Sequence, residues 1–240
     1  MDGVGRGGGT PRGYPSPPPH PSTAVQKGIA VIIGLIGMSG AGKSTWARKL
    51  AAAGWGCLHC DDLIADRLRA DVDVGAGSVY DLGRWMGFPY QPGYAAREAQ
   101  YLRHEARVLE EIAAAIDRWE RPHDVVVDMT GSAIYIDSAI LARIRQVATV
   151  VYLAIAPRRH AQMIAEYCAQ PRPVVWNGMF RPRPGESGEA ALARCYTDLI
   201  AARETLYEAL CDVRVDEALH QDPSFTAEAL VRYVEHARKI

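Results

Sequence analysis

The sequence predicts an α/β protein: a doubly wound parallel sheet with helices on both faces. Three observations lead there. The run AVIIGLIG, Ala30 to Gly37, is continuously apolar and rich in β-branched residues, as in a strand buried on both faces of a parallel sheet. A glycine-rich turn follows at once and opens a helical segment. Beyond it, short apolar strands alternate with amphipathic helices, the pattern of repeated strand–helix–strand units whose ligands bind beyond the carboxyl ends of the strands.

The elements follow in order. The first strand gives way to a helix from Ser44 to Ala53, a second strand from Trp55 to Cys60 and a helix from Asp62 to Ala70. A long helix is expected from Arg97 to Trp119, with Leu102, Ala106, Leu109, Ile112, Ala113 and Ile116 on one face. Asp124 to Met129 reads as a third strand, Ser138 to Gln146 as a helix and Thr149 to Ile155 as a fourth strand. A helix from Glu189 to Cys211, apolar at Leu192, Cys195, Leu199, Ala202, Leu206 and Leu210, precedes a short closing strand, Val213 to Val215.

Residues 1–26, with GRGGG and PSPPPHP, have almost nothing apolar to bury and are expected to be a disordered leader. Residues 27–240 then form one domain. Within it, about 71–95 is a loop-like insertion with Trp85, Phe88, Tyr90 and Tyr94 among glycine and proline, and about 169–188 is a proline- and arginine-bearing loop.

Composition narrows the function. With 48% hydrophobic and 23% charged residues the chain is globular in character, and its largest apolar run is too short for a membrane span. A net charge of -1 provides no global basic field for nucleic acid, so a ligand must be recognised locally. Five scattered cysteines suit reduced thiols and a cytoplasmic setting, and the Cys57–Cys60 spacing lacks the second pair of a zinc site. A monomer or a homodimer is expected.

After the first strand stands Gly37-Met38-Ser39-Gly40-Ala41-Gly42-Lys43-Ser44, a complete G-x-x-x-x-G-K-[ST] phosphate loop, with Thr45 next on the helix. The chemistry needs this spacing. Glycines let successive N–H groups surround a β-phosphate, the helix dipole faces the same anion, Lys43 reaches the β and γ oxygens, and Ser44 ligates magnesium. ATP and Mg2+ are therefore the expected cofactors.

Further candidates stand at strand ends. Asp61 and Asp62 close the second strand, and a base that takes the proton of an attacking hydroxyl is wanted beside the phosphate loop; Asp61 is assigned that role and Asp62 the cap of the following helix. Asp128, at the end of the third strand, is placed to hold magnesium through water, ahead of the turn Thr130-Gly131-Ser132. Arg172, in the loop that also carries Arg181 and Arg183, is expected to close over ATP and offset transition-state charge. Arg203 lies on the last long helix.

These motifs in this order resemble the shikimate kinase family of the nucleoside monophosphate kinase-like fold, a P-loop NTPase with a mobile lid, over about Ile29 to His236. Cys60-Asp61-Asp62-Leu63-Ile64 looks like the family's acidic segment; Thr149-Val150-Val151-Tyr152-Leu153 like its VVYL strand; Arg172-Pro173-Val174-Val175 like its lid. Ala202-Arg203-Glu204-Thr205-Leu206-Tyr207 with Asp212-Val213-Arg214-Val215-Asp216 resembles its R-x-P-L-Y…A-D-x-x-V-D ending. The resemblance implies an ATP:alcohol phosphotransferase in which Asp61 contacts the acceptor hydroxyl, Arg172 serves the ATP phosphates, and Arg203, Gly131 and Arg103 face the acceptor.

The chain also departs from the pattern. His59 replaces the first Asp of the family's D-x-D pair, Thr130-Gly131-Ser132 replaces a Gly-Gly-Gly turn, and Arg103 stands one residue out of register with the F-R-x-x-E arginine that clamps a carboxylate. One residue turns a helix by about 100°. The expected acceptor is accordingly a hydroxyl of a small cyclic polyol, cyclitol or sugar-like, rather than shikimate. Alternatives are a dephospho-coenzyme A or nucleoside kinase, the former suggested by Ile36-Gly37 through Asp61-Asp62-Leu63-Ile64-Ala65, and an ATP-binding regulatory protein without transferase activity.

Overall fold

The computed structural model describes residues 30–69, 78–118 and 123–237. The expected leader lies outside them, as does the start of the insertion. Five parallel strands, β1 (Ile32–Ile36), β2 (Gly56–His59), β3 (Val125–Asp128), β4 (Thr149–Leu153) and β5 (Val213–Val215), form one sheet in the order β2-β3-β1-β4-β5. β1, β3 and β4 are buried along their whole length, which is why their sequences do not alternate.

The helices are α1 (Lys43–Ala52), α2 (Cys60–Leu68), α3 (Val79–Met86), α4 (Tyr94–Asp117), α5 (Ser138–Val147), α6 (His160–Ala169), α7 (Gly188–Leu210), α8 (Glu217–His220) and α9 (Ala227–Ala237). None among the described residues is long and apolar enough to cross a membrane. The order reverses on either side of β1, so the carboxyl ends of β1 and β3 open at the switch point where such sheets bind ligands.

Several expected boundaries are corrected. The described part of the insertion opens with a helix, α3, and continues as a loop over 87–93. Ser78 and Asp81 form a capping box, Ser78 Oγ accepting from Asp81 N and the Asp81 carboxylate accepting from Ser78 N. The aromatics of the loop after α3 pack locally: Phe88 stacks on Tyr90 at 5.5 Å, and Tyr90 approaches Phe180 at 6.3 Å. Helix α2 starts at Cys60, so Asp62 is not a cap; it stands exposed in the first turn, where its charge favours the helix dipole.

The inner face of α4 also differs from the apolar stripe. Its buried residues are Tyr94, Tyr101, His104, Glu105, Val108, Leu109, Ile112, Ala113 and Ile116, whereas Leu102 and Ala106 are only half-buried. Towards its N-terminus this helix thus turns polar groups inward. On α7 the buried set includes Arg203 and Tyr207, and Leu206 is 38% exposed.

The loop between α6 and α7 is docked at its centre, with Val174, Val175 and Trp176 buried. Tyr94 donates its hydroxyl to the Val174 carbonyl at 2.6 Å, and Glu98 accepts from the backbone N–H of Asn177 at 3.0 Å. Arg181 and Arg183 remain exposed at its far end.

Candidate active site

The phosphate loop is shaped by glycines at positive φ: Gly37 at 141°, Gly40 at 89° and Gly42 at 100°. At Gly37 a Cβ would stand 2.7 Å from the Leu153 carbonyl oxygen, so no larger residue fits between the loop and β4. Met38 and Ala41 are buried beneath the turn, and Ser39, Gly40 and Gly42 are half-buried. Lys43 folds back over the loop and donates from Nζ to the carbonyls of Gly37 at 2.9 Å and Met38 at 3.1 Å. Burial pulls its pKa down, while Asp128 and Asp61 oppose the shift and Arg203 and Arg172 add to it. Ser44 and Thr45 are exposed on the first turn of α1.

This cradle fits a triphosphate. Glycines at positive φ leave the turn free of Cβ atoms so that its N–H groups can approach an anion, a buried ammonium sits on the same turn, and Ser44 with Asp128 offers hard oxygen ligands suited to magnesium.

The parallel register of β2 and β3 sets His59 opposite Asp128. His59 Nδ1 donates to Asp128 Oδ2 at 3.0 Å, and Cys57 Sγ lies 3.2 Å from the other ring nitrogen. The hydrogen bond to Asp128 is the main reason the His59 pKa is pushed up to about 10, which favours a cationic ring where the family's pattern has a carboxylate.

Asp61 lies one residue into α2. Tyr101, fully buried on α4, donates its hydroxyl to Asp61 Oδ1 at 2.8 Å. Burial raises the Asp61 pKa, the Tyr101 hydrogen bond works against that, and Asp128 raises it further. A carboxylate held this way binds a proton more readily than a solvated one.

Arg203 is 1% exposed and ties three segments together. It donates to the Val175 carbonyl in the docked loop and, from Nε, to the Tyr135 hydroxyl at 3.3 Å, and its guanidinium carbon stands 5.3 Å from the Tyr135 ring. A Cβ on Gly131 would lie 3.3 Å from Arg203 Nη1, so the turn after β3 runs close beneath the guanidinium. Tyr207 fixes that turn by donating to the Gly131 carbonyl at 2.6 Å. Arg172 reaches the tip of the phosphate loop, its Nη1 3.5 Å from where a Gly40 Cβ would stand, and its guanidinium carbon lies 5.7 Å from the Tyr80 ring on α3.

The structure thus brings Lys43, Asp61, Asp128, Arg172, Gly131 and Arg203 to one end of the sheet. Arg103 is the exception: it is exposed on α4, while Tyr101, His104 and Glu105 turn inward. The one-residue shift of register has the consequence a helix dictates.

Sequence reasoning passed over Glu105. It is 0% exposed, accepts from Ser132 Oγ at 2.8 Å, and burial pushes its pKa up to about 8 despite the Ser132 bond. The available signal was its spacing from Tyr101, four residues on the same helical face.

A family model described as an AAA domain matches residues 32–168, more than half of the chain. The chain belongs to this AAA domain family. Solved structures place the fold of this AAA domain more narrowly. It is similar to the shikimate kinase from Acinetobacter baumannii in complex with shikimate, at TM-score 0.52 and 21% identity over 88% of this chain and 90% of that one. The shikimate kinase from Bacteroides thetaiotaomicron aligns at TM-score 0.52 and 17% identity, over 88% and 99% of the two chains, and that from Aquifex aeolicus at 0.50 and 14%, over 87% and 99%. No curated protein matches the sequence. At these identities the likeness establishes the shikimate kinase-like P-loop fold.

Proposed function

We propose that this AAA domain is an ATP-dependent kinase that transfers the γ-phosphoryl group to a hydroxyl of a small cyclic polyol-like metabolite. The observation that supports it most is the meeting of a complete phosphate loop with a half-buried, tyrosine-held carboxylate, Asp61, at the same sheet edge. In this reading Gly37 to Thr45 bind the phosphates, with Lys43 leaving its two carbonyl partners to follow charge on the transferring group. Ser44, and Asp128 through water, would hold magnesium, which would supply positive charge against the phosphate oxygens.

Asp61 accepts the proton of the acceptor hydroxyl as its oxygen attacks phosphorus, and the bond to the β,γ-bridging oxygen of ATP breaks with its electrons leaving on ADP. Arg172 covers the phosphates and offsets transition-state charge, while Arg203 and the Gly131 turn position the acceptor. The exposed Arg103 has no part in this account. A cyclitol is the favoured acceptor, since Arg103, which stands out of register with the family's carboxylate-clamping arginine, is exposed on α4.

The test is direct. Purified protein is incubated with ATP and magnesium against cyclitols, sugars, nucleosides, shikimate and dephospho-coenzyme A, and phosphorylated product is identified by mass. A cyclic polyol should be phosphorylated, and Lys43→Ala should lower turnover at least about a hundredfold with the fold intact. Unchanged turnover in Lys43→Ala, or product from a nucleoside or dephospho-coenzyme A alone, overturns the reading.

A further inference from the structure

Glu105 is fully buried, and its two oxygens are treated unequally. Oε2 accepts from the Ser132 hydroxyl at 2.8 Å, whereas Oε1 has no partner. A buried carboxylate oxygen without a donor destabilises a fold, and such a group is best understood where a ligand supplies the missing bond. The site places Glu105 among the transfer residues: its charge is felt against those of Asp61, Arg203 and Lys43, and Ser132 adjoins the Gly131 turn beneath Arg203.

The cations close by have other partners. Lys43 sits on the carbonyls of Gly37 and Met38, and Arg203 is bonded to the Val175 carbonyl and the Tyr135 hydroxyl. Arg103 is exposed. Asp61 has one oxygen taken by Tyr101. Once ionised, above a pH of about 8, Glu105 leaves an unmet hydrogen-bond acceptor beside these groups, and it wants donors.

We propose that Oε1 of Glu105 binds a hydroxyl or ammonium donor of the acceptor, so that the pocket selects a polyhydroxylated or amino-substituted ring over one bearing a carboxylate. This rests on the kinase reading for what the bound molecule undergoes, but it can be tested without turnover.

At about pH 9, where Glu105 is ionised, protein saturated with MgADP is titrated with three ring probes of similar size: inositol, the aminocyclitol 2-deoxystreptamine, and shikimate. At least one of the first two should bind at least tenfold more tightly than shikimate, and their order tells hydroxyl from ammonium. Glu105→Gln can keep the Ser132 bond while its NH2 group replaces the bare oxygen, reversing the polarity. Binding of the donor probe should weaken at least tenfold and binding of shikimate should tighten, with MgADP affinity within about threefold. Shikimate bound best by the unaltered protein, failure of both donor probes to bind, or an unchanged preference in Glu105→Gln overturns the inference. A protein that does not bind MgADP fails the kinase reading instead, so the two failures are distinguishable.

Discussion

Tyr101 and Asp61 meet at 2.8 Å across the packed faces of α4 and α2, the phenol donating to the carboxylate. The bond favours ionised Asp61 and so opposes the burial that raises its pKa. Tyr101→Phe should therefore raise the Asp61 pKa further. The acid limb of the pH–rate profile should move to higher pH, and a buried oxygen left without its donor should lower stability by about 1–3 kcal/mol. A profile that does not move would separate Asp61 from the proton transfer.

His59 gives a second prediction. Its pKa is pushed up to about 10, chiefly by the bond to Asp128. A raised histidine pKa contributes stability that is complete below about 6.5 and is lost as pH climbs towards 10. In Asp128→Asn the His59 ring, followed by NMR, should titrate well below its position in the unaltered protein. Stability of the variant should also lose part of its decline between pH 7 and 10. An unmoved midpoint would mean that the strand register does not bring the two side chains together.

Helix α3 presses its Gly83 against the loop that bears Arg172. A Cβ at Gly83 would stand 2.2 Å from the Pro171 carbonyl oxygen and 2.7 Å from the Arg172 Cα. Alanine is the better helix former by about 1 kcal/mol, yet forcing that contact apart costs about 1–3 kcal/mol and shifts the Arg172 backbone. Gly83→Ala should lower Tm and weaken MgATP binding. A rise in Tm would show that propensity wins and that α3 is free of the loop.

Burial of Glu105 gives a stability test with a definite sign. Its pKa is pushed from 4.5 up to about 8, so the native state holds the proton more tightly than the unfolded chain. Stability from this group declines as pH rises from about 4.5 to about 8. Glu105→Gln removes that decline. The gain over the unaltered protein should be larger at pH 8 than at pH 5, by at least about 1 kcal/mol or roughly 2–4 °C in Tm. A variant less stable at pH 8 would contradict the burial account.

Much of the fold was legible because strong local signals coincide with it. The continuous apolar runs of β1, β3 and β4 announce strands covered on both faces, and the phosphate loop fixes where strand turns to helix. Three things were not legible. Helix α3 begins with a capping box but carries glycine and aromatics that read as loop, and its docking on Pro171 and Arg172 is a long-range contact. The polar face of α4 defeats a search for apolar periodicity, because Tyr101 and Glu105 find their partners, Asp61 and Ser132, in distant segments. The inward turn of Arg203 has the same cause, since its partners Tyr135 and Val175 come from elsewhere in the chain.

The central claim is that Asp61 takes a proton from a hydroxylated acceptor while the phosphate loop holds ATP. Asp61→Asn keeps the shape and removes the charge, and the measurement is its ATP affinity beside its single-turnover rate on the acceptor found by screening. The account predicts affinity within about threefold and a rate lowered by about 10² or more, the contribution of a positioned general base. Weakened ATP binding with turnover spared would contradict it, giving Asp61 to magnesium and leaving the proton transfer without its base.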